Sequence, residues 1–341
     1  MKLTPLLKRF IGLSGLIILF SSLTLVLVYL DYKAFLETPI NIKKEVIFTV
    51  KSGVSFSALN KKLVSENIIN ESFYLELLAR HSKRANKIKS GEYNIMPGIL
   101  PDELLNIFVS GKVVQYSMTL VEGWQIYEML ETIKLNNVLE KKLITHDPDK
   151  LLSTLGYPES AAEGLFFPDT YHFPRGTSDV DFLKRAYERL QQVLDQEWQN
   201  REENLPYKTP YEALIMASIV EKETGLASER AKIAGVFVRR LNKNMRLQTD
   251  PTVIYAMGRQ FDGNIRKKDL KIDSPYNTYR YKGLPPSPIS LVGREAIHAA
   301  LHPEDGKELY FVAKGDGSHY FSETLAEHNR AVVKYQLKKG K

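Results

Sequence analysis

Between Ile11 and Leu30 the chain reads IGLSGLIILFSSLTLVLVYL, without one charged side chain. As a helix rising about 1.5 Å per residue, this run spans about 30 Å, the thickness of the hydrocarbon layer of a bilayer. No face of it is polar, so it suits neither an amphipathic surface helix nor a half-buried strand. The run predicts a membrane-spanning helix over 11–30, behind a short cytoplasmic N-terminus over 1–10, with Tyr29 at the far interface. A cleaved export signal is the rival reading. Its apolar core would be shorter and an A-x-A-like site would follow, which is missing here. Lys2, Lys8 and Arg9 before the run balance Lys33, Lys43 and Lys44 after it, so the basic-residue count leaves orientation open. Export of everything after Asp31 is the simpler topology. A polar stalk is expected over 31–44.

The 341 residues leave room for two domains beyond this helix, and a 43% hydrophobic, 26% charged composition is that of a globular chain. The net charge of +7 is a mild bias. No block of like charges and no nucleic-acid motif accompanies it, so nucleic acid is not an expected partner. An acidic polymer or an anionic membrane surface would suit the bias. The chain has no cysteine, which excludes disulfides, thiol catalysis and cysteine metal sites.

One pattern occurs three times after the stalk. TVKSGVSFSAL (Thr49 to Leu59), NIMPGILPDELL (Asn94 to Leu105) and TLVEGWQIYEML (Thr119 to Leu130) each read strand, glycine turn, amphipathic helix. Gly53, Gly98 and Gly123 serve the turns, and an apolar anchor (Leu59, Leu104 or Met129) follows six residues later. Such punctuation is common to short βα units. The first unit, with a helix over Ser72 to His81 and a strand over Gly91 to Met96, resembles a LysM-type βααβ glycan-binding module, a likeness carried by FTVKSGVSFSAL. The expected organisation is a LysM-like subdomain over 45–115 and a mixed catalytic domain over 116–341, an α+β chain.

Within the second part the central stretch is TPYEALIMASIVEKETG, Thr209 to Gly225. Thr209 suits the N-cap, Pro210 the first helical position, Glu212 a capping box and Gly225 the C-terminal stop. Apolar residues on nearly every face predict a buried helix. Its last turn nevertheless carries Glu221 and Glu223. There the negative end of the helix dipole and burial both disfavour ionisation, and a carboxylic acid that keeps its proton near neutral pH is a potential general acid. The bland alternative is that both glutamates fray into solvent.

Around this helix, Leu139 to Ser160 reads as an irregular connection and Leu183 to Glu202 as a long amphipathic helix. Ser228 to Asn242 is a further helix, and Asp250 with Pro251 opens a short one. EGLFFPDTYHFP (Glu163 to Pro174) cannot be a regular helix with Pro168 and Pro174 inside it. SPYNTYRYKGLPPSPIS (Ser274 to Ser290) should be an ordered loop. Glu308 to Ala313 and His319 to Ser322 predict a hairpin, and Thr324 with Glu327 a capping box for the last helix. Phe166, Phe167, Tyr171, Tyr276, Asn277, Tyr279 and Tyr281 sit in these loops. Aromatic faces pack on sugar rings and amides bind hydroxyl and acetamido groups, so together with a poised glutamate they outline a carbohydrate cleft. Taken singly, each is as readily loop packing. Glu163, Asp169, Glu223, Gln248 and Asp250 are added as polar candidates for the same surface. Asp250 is also placed to cap its helix, Asp169 to bind loop amides, and Glu163 to fix the start of the aromatic loop.

A metal reading fails. His298 and His302 lack an acidic partner between them and read as helix-end residues. Ser218 lacks a G-x-S-x-G elbow. Neither a metal nor another cofactor is expected.

EGLFFPDTY, MASIVEKETG, LQTDPTVIYAMG, YNTY and GLPPSPI, in this order behind one membrane anchor, resemble the endolytic murein transglycosylases, the YceG-like family, from about Lys44 onward. The resemblance implies lytic cleavage of nascent peptidoglycan strands at the cytoplasmic (inner) membrane of a bacterium, ending their elongation. It makes Glu221, the first glutamate of V-E-K-E-T, the catalytic residue. It also implies peptidoglycan glycan strands as substrate and makes peptidoglycan synthases candidate partners. A hydrolase needs two carboxylates, whereas a lytic enzyme needs one acid that later serves as base. Two alternatives stay open: a hydrolase with Asp250, Glu163 or Asp169 as second carboxylate, and a non-enzymatic glycan-binding scaffold.

Overall fold

The computed structural model describes residues 5–71, 73–158 and 161–337; Lys2, Ser72 and Ser160, used in the sequence reading, lie outside them. The chain divides into two compact units, Met1–Tyr116 with Phe173–Gly176, and Ser117–His172 with Thr177–Lys341.

In the first unit, helix α1 (Pro5–Glu37) carries the apolar run and continues beyond it. Its segment Phe10–Glu37, with a mean hydropathy of 2.4 over an 18-residue stretch, is long and apolar enough to cross a bilayer. Nothing in the sequence breaks the helix until Pro39, which bars Thr38 from helical geometry. The start of the expected stalk is therefore helical, and Tyr32, Phe35 and Leu36 pack against the core of this unit. Strand β1 (Val46–Val50), helices α2 (Phe56–Ser65) and α3 (Phe73–His81) and strand β2 (Gly91–Ile95) follow in βααβ order, then α4 (Pro101–Ser110). β1 and β2 run antiparallel, with Val46 opposite Ile95 and Val50 opposite Gly91. Phe48, Leu63, Tyr93 and Phe108 form the centre of the core.

The chain continues through β3 (Gln115–Thr119), α5 (Ile126–Leu135), α6 (Pro148–Leu155), β4 (Thr170–Pro174) and α7 (Asp179–Gln199). Then come α8 (Pro210–Glu223), α9 (Ala227–Asn242), α10 (Asp250–Met257), α11 (Arg294–Leu301), the hairpin β5 (Tyr310–Ala313) and β6 (His319–Ser322), and α12 (Leu325–Val332). Three two-stranded ribbons among helices make the expected α+β class. The three turn glycines all adopt positive φ, 73° at Gly53, 83° at Gly98 and 76° at Gly123. Their anchors Leu59, Leu104 and Met129 are buried. The expected hairpin pairs Tyr310 with Ser322 and Ala313 with His319, and the Thr324–Glu327 capping box forms.

Helix α8 is the central element, packed by α7, α9, α10 and α11. Every residue from Ala213 to Val220 is buried. Burying a large apolar side chain contributes about 1.5–3 kcal/mol, so packing by these four neighbours is what holds the helix in place. Both ends differ in detail from expectation. Thr209 Oγ1 accepts from Glu212 N at 3.2 Å, but the Glu212 carboxylate reaches back to Lys208 N, so no reciprocal box closes. The helix stops where Thr224 turns extended, at φ −146°, and Gly225 takes no left-handed conformation.

Candidate active site

Four separated stretches meet at the end of α8. Ser218, within the buried run, accepts from Ile289 N at 3.0 Å and donates to Ile215 O at 2.7 Å. Its hydroxyl thereby pins the proline-rich loop to the helix. Gly164 of the aromatic loop lies against Pro288, where a side chain would collide. The turn between β3 and α5 pairs with the same loop, through Gly123 N to Leu291 O at 2.9 Å and Leu291 N to Trp124 O at 2.7 Å. Lys222 Nζ donates to Gly123 O at 2.9 Å from α8 itself.

These bonds bring two carboxylates to one place. Glu221 Oε2 accepts from Gly293 N at 3.1 Å, the amide at the start of α11. Glu122 covers the same glycine, and a Cβ on Gly293 would run into its carboxylate. From α9, Arg230 Nη2 lies 3.7 Å from Glu221 Oε1. The Glu221 side chain is only 6% exposed and that of Arg230 12%. The Arg230 Nε has no hydrogen-bond partner among the described residues. Glu122 itself is exposed.

Burial holds the Glu221 carboxyl above its ordinary pKa, and the charge of Glu122 adds to the rise. The Gly293 amide, Arg230 and Lys222 oppose it. An acid with one strong donor and a cation at longer range can hold a proton and also survive losing it, which acid–base chemistry requires of one residue.

Glu223, two residues on, points elsewhere, because successive helical residues are about 100° apart. It accepts from the Thr249 hydroxyl and lines a cleft with Gln248, Asp250, Tyr279, Tyr310 and His319. Burial pushes its pKa up to about 7, with Asp250 adding to the rise. Asp250 does not cap its helix: it is the first helical residue, Thr249 holds the N-cap position, and Asp250 Oδ1 accepts from Tyr279 OH at 2.6 Å. Gln248 is exposed, with φ of 52°.

Glu163 forms a third cluster. It is buried and accepts from Ile126 N at 3.0 Å, with Tyr255 OH and Gly164 N as further donors. Its pKa is pushed up to about 7 by burial. The Tyr255 ring packs on Tyr276 at 4.7 Å, and Tyr276 OH bonds Ser287 Oγ at 2.7 Å. Asp169 is exposed and accepts from Thr170 N at 2.7 Å, the local role expected of it.

Phe166, Phe167, Tyr171 and Asn277 are buried. Tyr171 OH donates to Phe167 O at 2.7 Å, and Asn277 Nδ2 donates to Leu270 O and Ile272 O at 3.1 and 2.8 Å. These four side chains shape their loops from within. Tyr281 is exposed and donates to Asp273. His298 and His302 stack at the end of α11, with His298 Nδ1 2.9 Å from Glu197. Among the described residues no three His, Cys, Asp or Glu are grouped to hold a metal ion.

Glu122, Arg230 and Tyr255 escaped the sequence reading. The only signal for Glu122 was its place before the third turn glycine, in a turn read as mere punctuation.

A buried carboxylic acid, set between a like charge and a guanidinium at the end of a core helix, is a candidate for acid–base chemistry on this α+β scaffold. A model of the YceG-like family matches residues 48–334, and the chain belongs to that family. It is 33% identical over 311 residues to an endolytic murein transglycosylase of Bacillus subtilis (strain 168), covering 86% of this chain and 85% of the relative. It is 27% identical over 345 residues to an endolytic murein transglycosylase of Streptococcus pneumoniae serotype 2 (strain D39), covering 90% of this chain and 62% of that protein. The crystal structure of a YceG-like protein from Listeria monocytogenes superposes with a TM-score of 0.54 at 30% identity, over 85% of this chain and 99% of that one.

Proposed function

We propose that this protein is an endolytic lytic transglycosylase. It cuts the bond between N-acetylmuramic acid and N-acetylglucosamine in nascent peptidoglycan strands, leaves a 1,6-anhydromuramyl end, and so ends elongation. The observation that carries this reading is the environment of Glu221. It is buried with its pKa raised, and it accepts one backbone N–H. The three carboxylates proposed as hydrolytic partners are otherwise engaged: Glu163 by Ile126 N, Asp169 by Thr170 N and Asp250 by Tyr279.

Protonated Glu221 gives its proton to the glycosidic oxygen as the bond to C1 breaks. The resulting carboxylate, steadied by Gly293 N–H and Arg230, takes the proton of the muramyl 6-hydroxyl as that oxygen attacks C1. No water enters the balance. The substrate's acetamido group can help to stabilise the oxocarbenium-like transition state. Glu223, Gln248, Asp250 and Tyr279 offer a polar cleft for flanking sugars, with Asp169 and Tyr276 further candidates. The βααβ unit serves as a LysM-like glycan holder. α1 anchors the protein as a single pass in a bacterial cytoplasmic membrane, with the catalytic part outside. Peptidoglycan synthases, whose product is this substrate, are proposed partners.

The test is digestion of purified glycan strands in ¹⁸O-water. Products should end in anhydro sugars, about 18 Da lighter than a hydrolysed reducing end by one water, with no label at the new muramyl end. Stoichiometric label there would overturn the lytic mechanism.

One observation favours a second reading, a hydrolase: Glu122 is a carboxylate beside Glu221. Glu122→Gln separates the two. In the lytic enzyme Glu122 only helps Glu221 keep its proton. Removing that charge lowers the Glu221 pKa, so the acid form is lost earlier as pH rises. The alkaline limb of kcat/KM should move to lower pH, with activity kept on the acid side. A hydrolase that needs Glu122 would lose activity at every pH, and a limb that stays in place contradicts the electrostatic role.

A further inference from the structure

We propose that the first turn of α3 is a membrane-docking surface that seats Phe73 in the headgroup boundary of the bilayer crossed by α1. The geometry follows from the continuity of α1, which runs unbroken from the apolar stretch into the core of the first unit. Tyr32 is two residues past Leu30, about 3 Å further along the helix axis. Its ring lies 5.9 Å from that of Tyr74, and the ring of Phe35 lies 5.7 Å from Tyr74. Phe73 packs edge-on against the same Tyr74 at 5.3 Å. Asp31, the first charged residue after the span, lines one cleft with Asn70, Glu71 and Tyr74. The start of α3 is thus level with the point where α1 leaves its apolar stretch.

At that level Phe73 is 61% exposed, and Leu77, one turn on along the same face, is 40% exposed. The neighbouring Tyr74 is half-buried, and Leu75 faces the core instead. A bare aromatic ring this close to a bilayer has a partner at hand, because aromatic side chains favour the membrane–water interface. Asp31 and Glu71 beside it make apolar insertion, rather than attraction to anionic lipid, the holding force. A lone spanning helix leaves its domain free to tilt and spin, whereas a second contact fixes the first unit against the surface.

This rests on α1 crossing the membrane, and the experiment separates the two claims. The chain has no cysteine, so a single nitroxide reports alone. The full chain is labelled at Phe73→Cys, at Leu77→Cys with Phe73 kept, or at Leu23→Cys within the span. Each is reconstituted in phosphatidylcholine vesicles, and collisions with oxygen and with a water-soluble nickel chelate are read by EPR. A free nitroxide sets the aqueous limit. The labels at 73 and 77 should show an oxygen-to-nickel ratio several-fold above that limit and below that of Leu23. Phe73→Asp should bring the label at 77 towards the aqueous value. Free nickel collision at both sites with Leu23 shielded overturns the docking surface and leaves the anchor standing. Nickel collision at Leu23 as well overturns both. Shielding from both reagents with dipolar broadening would place a second copy of the chain there and overturn the lipid assignment.

Discussion

Glu221→Gln should lower turnover on glycan strands by about 10²–10⁴-fold, the usual worth of general acid–base catalysis and equivalent to about 3–5 kcal/mol of barrier. The amide keeps the shape and can still accept from Gly293 N, so the unfolding midpoint and strand binding should hold. What it loses is the proton given to the leaving oxygen and later recovered from the 6-hydroxyl. Turnover close to that of the parent protein would remove Glu221 from the mechanism. Glu223→Gln is the matched control on the same turn of α8. It faces Thr249 and the cleft of Asp250 and Tyr279, so its effect should fall on strand binding, as a raised KM, far more than on kcat. A loss of kcat equal to that of Glu221→Gln would mean the acid had been assigned to the wrong side of the helix.

Folding stability should fall as pH rises from about 4.5 to about 7. Burial pushes the carboxyls of Glu163 and Glu223 up to about 7 from an ordinary 4.5. Across that window the folded protein holds two protons that the unfolded chain has released, so raising the pH pulls the equilibrium towards the unfolded chain. The stabilisation is complete below the unfolded value and lost as pH passes the folded one. Each shift corresponds to about 3 kcal/mol. Denaturant midpoints of the detergent-solubilised chain between pH 4.5 and 8 would show the decline. Glu163→Gln and Glu223→Gln should each flatten it, since an amide has no proton to lose. A midpoint that holds steady or rises over this range would show that the two carboxyls are ionised in the folded protein.

The two carboxylates on α8 illustrate how far the sequence could be read. Burial of the helix, its first turn and the poised character of its last turn were all legible, because apolar residues on every face and a Thr-Pro start are local signals. That Glu221 and Glu223 face different partners follows from helical geometry, but which partners does not. The loop aromatics failed differently. Phe166, Phe167 and Tyr171 lie in a proline-broken stretch with no periodicity, so nothing separated a ring that stacks on a sugar from one that fills the core. Asn277 looked equally available, yet its amide is spent on two loop carbonyls.

By itself the sequence determined the apolar span, the three glycine turns with their anchors, the buried central helix, the C-terminal hairpin and the two acids in the last turn of that helix. Each is written within about twenty neighbouring residues, through periodicity, caps and turn chemistry. Only the tertiary structure decided that Glu122, 99 residues earlier in the chain, would lie against Gly293, whose amide Glu221 accepts, and that Arg230 would stand close to Glu221. It also carried α1 past its apolar run into the first core and turned Asp250 from its own helix to Tyr279. These contacts depend on how separately encoded helices and loops pack. Ser218 holding Ile289 and Gly164 yielding to Pro288 are examples, and no local pattern records such pairings, because their stabilisation exists only once both partners are already in place.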